Sequence, residues 1–218
     1  MKLKELFEST GKSVADLGIE YKGGDFDCYN NELTSLEGAP DHVGGDFDCD
    51  NNELTSLEGA PDHVGGDFDC DNNEFISLEG GPSRVDGSFS CHHNQLTSLK
   101  GAPSHVGADF SCSNNQLASL QGAPCRVVGN FYCTSNRLTS LKDVHRQITE
   151  IRGVFACRQN PIKSHVLGLL LIKGITEIQL DHKQVGEILN KHLGKGRVGM
   201  LMAQEELIEA GLEEFAQL

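Results

Sequence analysis

Asp46-Phe47-Asp48-Cys49-Asp50-Asn51-Asn52-Glu53-Leu54-Thr55-Ser56-Leu57 reads as a short strand that turns at paired asparagines and leaves through two leucines, and it returns almost unchanged 21 residues later from Asp67. Working outward, Phe26, Phe47, Phe68, Phe89, Phe110 and Phe131 mark copies at that same spacing, and Phe155 marks a seventh after a 24-residue step. A fixed period of this size is the signature of a solenoid, in which each copy buries its apolar side only against its neighbours. Alternation along the strand sends Phe47 and Cys49 inward and Asp46, Asp48 and Asp50 outward. Function is therefore expected on a stacked surface rather than in a cleft.

Seven of the eight cysteines (Cys28, Cys49, Cys70, Cys91, Cys112, Cys133 and Cys157) occupy one repeat position, two residues after the Phe. There they read as small core hydrophobes. Stacked in adjacent strands, their near-parallel Cβ vectors suit disulfides poorly. Reduced thiols point to the cytoplasm, and Cys125 alone stands outside the ladder. No secretory core is visible near the N-terminus, and the longest apolar stretch, around Val166 to Ile172, is too short for a membrane span.

The fixed positions Phe47, Cys49, Asn52 and Leu54 fill the later part of the pattern L-x-x-L-x-L-x-x-N-x-L. On these residues the chain resembles a short leucine-rich repeat protein of bacterial or phage type, over residues 23–163, with Phe and Cys in place of two core leucines. It departs at the first fixed position, where Gly44 stands and Val43 comes one residue early. The resemblance implies an α/β-type solenoid with parallel strands on the concave face and an irregular convex side. It also implies that Asn31, Asn52, Asn73, Asn94, Asn115, Asn136 and Asn160 form a ladder bonded to the backbone of neighbouring turns. Gly-Ala-Pro and Gly-Gly-Pro turns at Pro40, Pro61, Pro82, Pro103 and Pro124 argue against long helices on the outer side. Three segments follow: an N-terminal cap over residues 1–22 with a short helix over 2–9 (Leu3, Leu6 and Phe7 on one face), the array, and an α/β capping segment over 164–218. That last segment is expected to hold a strand marked by Ile175, Ile178 and Leu180, a helix through Val185, Ile188, Leu189 and Leu193 ending near Gly194 and Gly196, and a second helix from Val198 to Ala210. Its SHVLGLLLIKG and QEELIEAG stretches resemble the C-terminal segment that accompanies related arrays in phage genomes.

Charge is distributed unevenly. Gly23 to Asp86 holds 17 acids and one base, whereas Gly87 to Lys163 holds three acids and eight bases. The strand alternation places Asp25, Asp27, Asp46, Asp48, Asp50, Asp67, Asp69 and Asp71, with Tyr29, on the outer face of three neighbouring strands. Identical acids roughly 4.8 Å apart repel one another. Further along the same face come Ser90, His92, Tyr132 and Arg158. The expected function is a non-catalytic protein-binding module whose acidic concave sheet takes a partner with a basic surface, with Tyr132 and Arg158 at the far end of the footprint.

Other chemistries fit less well. His42, His63 and His105 repeat in Pro-x-His loops, and His92-His93 lacks paired ligand spacing for zinc. No phosphate-binding or dinucleotide motif is present, and a dominant negative patch disfavours nucleic acid. A ubiquitin ligase of the cysteine-dependent effector type is excluded by a tail with no cysteine beyond Cys157. No cofactor and no metal site is expected, and no membrane association; the oligomeric state stays open. The alternatives are a structural or virion assembly protein that uses the solenoid as a scaffold, and a repeat protein that binds divalent cations on its carboxylates.

Overall fold

The computed structural model describes residues 11–218. The helix expected over residues 2–9 lies outside the described residues. From there a parallel-strand solenoid of about eight turns runs to a helical C-terminal segment.

Each turn brings its Phe to the same place. Strands Phe26–Asp27, Phe47–Asp48, Phe68–Asp69, Phe89–Ser90, Phe110–Ser111, Phe131–Tyr132, Val154–Ala156 and Glu177–Gln179 form one parallel eight-stranded sheet, here the Phe sheet. Its register pairs each Phe with the next, so the rings stack with centroids 5.1–5.7 Å apart. Such aromatic pairs contribute about 0.5–1.5 kcal/mol each beyond their burial. Tyr21 closes the first end of the stack, edge-on to Phe26 at 5.8 Å. The seven ladder cysteines are buried and unpaired, and Cys125 is exposed. Cys70 and Cys91 donate their thiols to the carbonyls of Ser90 and Ser111 in the following turn. Burial pushes the Cys28 thiol up to about 12, which leaves it inert as a thiolate.

The asparagine ladder is present. Oδ1 of Asn52 accepts from the backbone N–H of Asn31 and Leu33 in the preceding turn, and its Nδ2 donates to the carbonyls of Cys28 and Cys49. Asn73, Asn94, Asn115, Asn136 and Asn160 repeat the pattern and are 7–8 % exposed. The hydrogen bonds at both ends offset the cost of burying each amide, and they lock one turn to the next.

The expected irregular side differs. His42–Val43, His63–Val64, Arg84–Val85, His105–Val106, Arg126–Val127 and Glu150–Ile151 form a second, six-stranded parallel sheet, the Val sheet. Thus the Pro-x-His positions are strands rather than loops, and Val43, one residue early for the leucine-rich pattern, is a buried core residue of that sheet. Two residues suffice because each pairs in register with the turns on either side. The third stretch of each turn carries Leu54 and Leu57 inward and closes at Gly59, whose φ of 90° and contact with the Leu36 carbonyl admit no side chain.

At the C-terminal end the apolar Val166–Ile172 stretch forms a buried 3-10 helix, Leu167–Leu171. The described residues form four α-helices, numbered in chain order: α1 (Val14–Leu17), α2 (Val144–Gln147), α3 (Lys183–His192) and α4 (Gly196–Glu209). Glu177–Gln179 extends the Phe sheet by a last strand, and α3 covers it. Asn190 of α3 accepts from Ile178 N–H at 2.7 Å and donates to Ile178 C=O at 2.8 Å. One side chain thus plugs the open sheet edge. No helix among the described residues is long and apolar enough to cross a membrane.

Candidate interaction surface on the Phe sheet

The outward positions of the Phe sheet form columns. One column runs Asp27, Asp48, Asp69, Ser90, Ser111, Tyr132, with consecutive members in register. Asp50, Asp71 and His92 stand two residues further on in their turns, as do Tyr29 at the start and Arg158 near the end. The structure therefore gathers the acids and leaves the other two predicted contacts apart. Tyr132 lies three strands from Asp69 and Arg158 four turns from Asp71, about 14 Å and 19 Å at the usual strand spacing. Both remain on the same face, with Tyr132 half-buried and Arg158 exposed at a groove of about 470 Å³ between the last strand and α3.

Three of the eight predicted aspartates have a structural duty that the sequence reading missed. Asp25, Asp46 and Asp67 each accept, through Oδ1, the backbone N–H of the residue one turn ahead: Asp46 at 2.9 Å, Asp67 at 2.7 Å and Ser88 at 2.6 Å. Asp109 does the same for Asn130, and Asn130 for Val154. Each such oxygen occupies the space where a Cβ would project from a glycine of the following turn, 20 residues on at Gly45, Gly66, Gly87 and Gly129 and 23 residues on at Gly153. At the one turn where Ser88 stands in the acceptor's position and no such bond is made, the residue in the glycine's place is Ala108. Asp or Asn with Gly, and Ser with Ala, is a covariation inside the chain itself, and it was legible without coordinates.

The remaining five acids differ in burial. Asp27 is exposed, Asp48, Asp50 and Asp69 are half-buried, and Asp71 is 4 % exposed. Asp27, Asp48 and Asp69 each accept the N–H two residues ahead, from Tyr29, Asp50 and Asp71. Burial first, then the charge of Asp71, push the Asp69 carboxyl up to about 7. Burial, then Asp48 and Asp69, push Asp50 up to about 6, and its Oδ1 is buried without a partner. Asp71 is likewise raised to about 6 by burial, against the opposing hydrogen bonds from Ser90 and from the His92 backbone.

Asp71 also ends the acidic run. Its Oδ2 is 2.5 Å from Nε2 of His92, whose own pKa is held down by burial and by His93 beside it. The contact places a hydrogen bond between two groups that burial shifts toward their neutral forms, so the two titrate together. The sequence placed Ser90 and His92 on this face but did not disclose their contact with Asp71, which spans 19 and 21 positions.

Positive charge is treated differently. On the Val sheet, Asp86 holds both His63 and Arg84, at 3.0 and 2.6 Å, and Glu150 holds Arg126 and Arg152, at 2.8 and 2.6 Å. Among the described residues no cation lies within ion-pair distance of Asp27, Asp48, Asp50 or Asp69. Nor do the described residues contain a group of three or more His, Cys, Asp or Glu side chains arranged to hold a metal ion. Comparison with protein-family models, with curated proteins and with solved structures found no match.

Proposed function

We propose that the chain is a non-catalytic binding module whose acidic Phe-sheet surface, at the N-terminal end of the solenoid, takes a protein partner with a basic surface. The observation that carries this reading is the in-register column Asp27, Asp48, Asp69, flanked by Asp50 and bounded by the Asp71–His92 pair: among the described residues Asp27, Asp48, Asp50 and Asp69 have no ion-pair partner, while Asp86 and Glu150 on the Val sheet side are matched. The column is short of cations, and within it Asp50 and Asp69 are raised to about 6 and about 7, first by burial and then by neighbouring carboxylates. Lysine or arginine laid along it lowers the pKa of these two groups, so association releases protons and relieves repulsion together. Asp25, Asp46 and Asp67 add their free Oδ2 atoms to the same field, and Tyr29, half exposed, offers an aromatic edge at its start. Complementary potential of this kind sets encounter rate and orientation and weakens with salt.

The resemblance to leucine-rich repeat proteins of bacterial and phage type goes with this proposal, and so does a phage-encoded product acting on a host protein in the cytoplasm. The test uses a lysine- and arginine-rich peptide as probe, titrated calorimetrically near pH 6.5 in two buffers of different ionisation enthalpy. Expected are binding that fades with salt, net proton release, and loss of both in the Asp48→Asn, Asp69→Asn double variant. Binding without proton release, or with the same affinity in the double variant, refutes the assignment.

A further inference from the structure

Helix α4 is apolar on two sides. Ala203 and Leu207 are fully buried against α3 and the 3-10 helix, and Gly199 lets the start of α4 approach the His192 carbonyl so closely that a Cβ would stand 2.5 Å from it. On the opposite side Val198, Leu201, Met202 and Ile208 are 65, 58, 43 and 49 % exposed. At 100° per residue these four, with Glu205 and Glu209 between them, form one stripe centred away from the buried one, about 15 Å long from Val198 to Ile208. A large apolar stripe left in water on a helix that already has a packed face marks a contact surface.

Its charges say what kind. The stripe is basic at its N-terminal end, at Lys195 and Arg197, and acidic along its C-terminal half, at Glu205 and Glu209. Neither Arg197, Glu205 nor Glu209 has an ion-pair partner among the described residues. The neighbouring Glu206, by contrast, is bound to Lys191 at 2.5 Å. An acidic C-terminal half is a poor fit to anionic lipid.

We infer that α4 pairs antiparallel with α4 of a second copy of this chain, making a two-fold dimer at the C-terminal end of the solenoid. A two-fold axis makes the surface its own complement. With the axis passing level with residue 203, Val198 meets Ile208 of the second copy, Leu201 packs on the aliphatic stem of Glu205, and Arg197 faces Glu209. Each contact occurs twice, and the macrodipoles oppose favourably. The arrangement leaves both acidic Phe-sheet surfaces free, so it does not depend on the function proposed above.

Sedimentation velocity of the full chain over a wide concentration range tests it. A reversible monomer–dimer equilibrium is expected. Arg197→Glu should weaken it about 5–30-fold through two symmetric charge pairs, and Arg197→Glu with Glu209→Arg should restore it. Leu201→Glu, which sets a carboxylate against Glu205, should leave only monomer. All three positions are exposed in the single chain, so helix content, and the melting temperature at concentrations where the parent is monomeric, should stay at parent values. A chain that stays monomeric throughout overturns the inference, whether or not it binds neutral lipid vesicles. So does a dimer that is indifferent to Leu201→Glu or is not restored by the charge exchange.

Discussion

Replacing Asp69 by Asn should stabilise the protein at pH 8 and do nothing at pH 4. The Asp69 carboxyl is half-buried with a folded pKa of about 7, against an ordinary value of 3.8. Between those values the unfolded chain has released its proton and the folded one has not, so stability is lost as pH rises through that window and the loss is complete above pH 7. Three units at about 1.36 kcal/mol each set a ceiling of about 4 kcal/mol. Water at the half-exposed face and relaxation of neighbouring side chains bring the expected gain to about 1–3 kcal/mol. Asparagine keeps the one contact that matters locally, because its Oδ1 can accept the Asp71 N–H that Asp69 accepts at 3.1 Å. The gain is read as the difference between parent and variant in urea unfolding midpoints at a series of pH values, which cancels every group the two share. A second readout is the carboxyl of Asp50, whose raised pKa owes part of its shift to Asp69 and should fall in the variant. A variant no more stable than the parent at pH 8, or one whose gain persists at pH 4, would refute the account of the acidic column as repulsive.

Two further outcomes follow from the ladders. Gly66→Ala should cost about 2–4 kcal/mol by overpacking, since the new Cβ would meet Asp46 Oδ1; adding Asp46→Ser, the Ser88/Ala108 solution moved back two turns, should recover at least about 1 kcal/mol as a coupling energy in a double-mutant cycle. Asn190→Ala strips both hydrogen bonds from Ile178 at the sheet edge and should cost about 2–4 kcal/mol, with concentration-dependent aggregation in light scattering as the exposed edge finds other strands.

What the sequence disclosed, it disclosed through repetition. Phe47 and Cys49 point inward because alternation along an extended backbone leaves no other choice, and Asn52 can sit in the core only if the neighbouring turns bond it. The tail helices were legible from Val185, Ile188 and Leu189 and from the run after Val198 for the same reason. The Val sheet was not, because a two-residue strand flanked by proline and paired glycines carries the local marks of a loop, and only pairing with the turns above and below makes it a strand. Asp25, Asp46 and Asp67 looked like free surface charges because their acceptor role is to an N–H one full turn away. The burial of Asp71 came from Ser90 and His92, which belong to the next turn and could not be weighed from the acid's own surroundings.

The ladder of Asp25, Asp46, Asp67, Asp109 and Asn130 separates what the fold needs from what it merely tolerates. Each position must supply one acceptor to the N–H of the following turn, and Asn130 meets that need at 2.8 Å without a charge. Ser88 shows that the need can even lapse, provided the facing glycine becomes alanine. Aspartate at the first three positions therefore adds a charge that the backbone does not use, next to a column already short of cations. The cost in repulsion is carried only over the first turns: from Ser88 and Ser90 onward the same two outward columns are largely neutral, although the Phe stack, the cysteines and the asparagines continue unchanged. Architecture that persists while charge stops is evidence that the two answer to different demands. Solubility alone would be served as well by acids spread along the whole array, whereas a charge block bounded by the Asp71–His92 pair has the shape of a footprint.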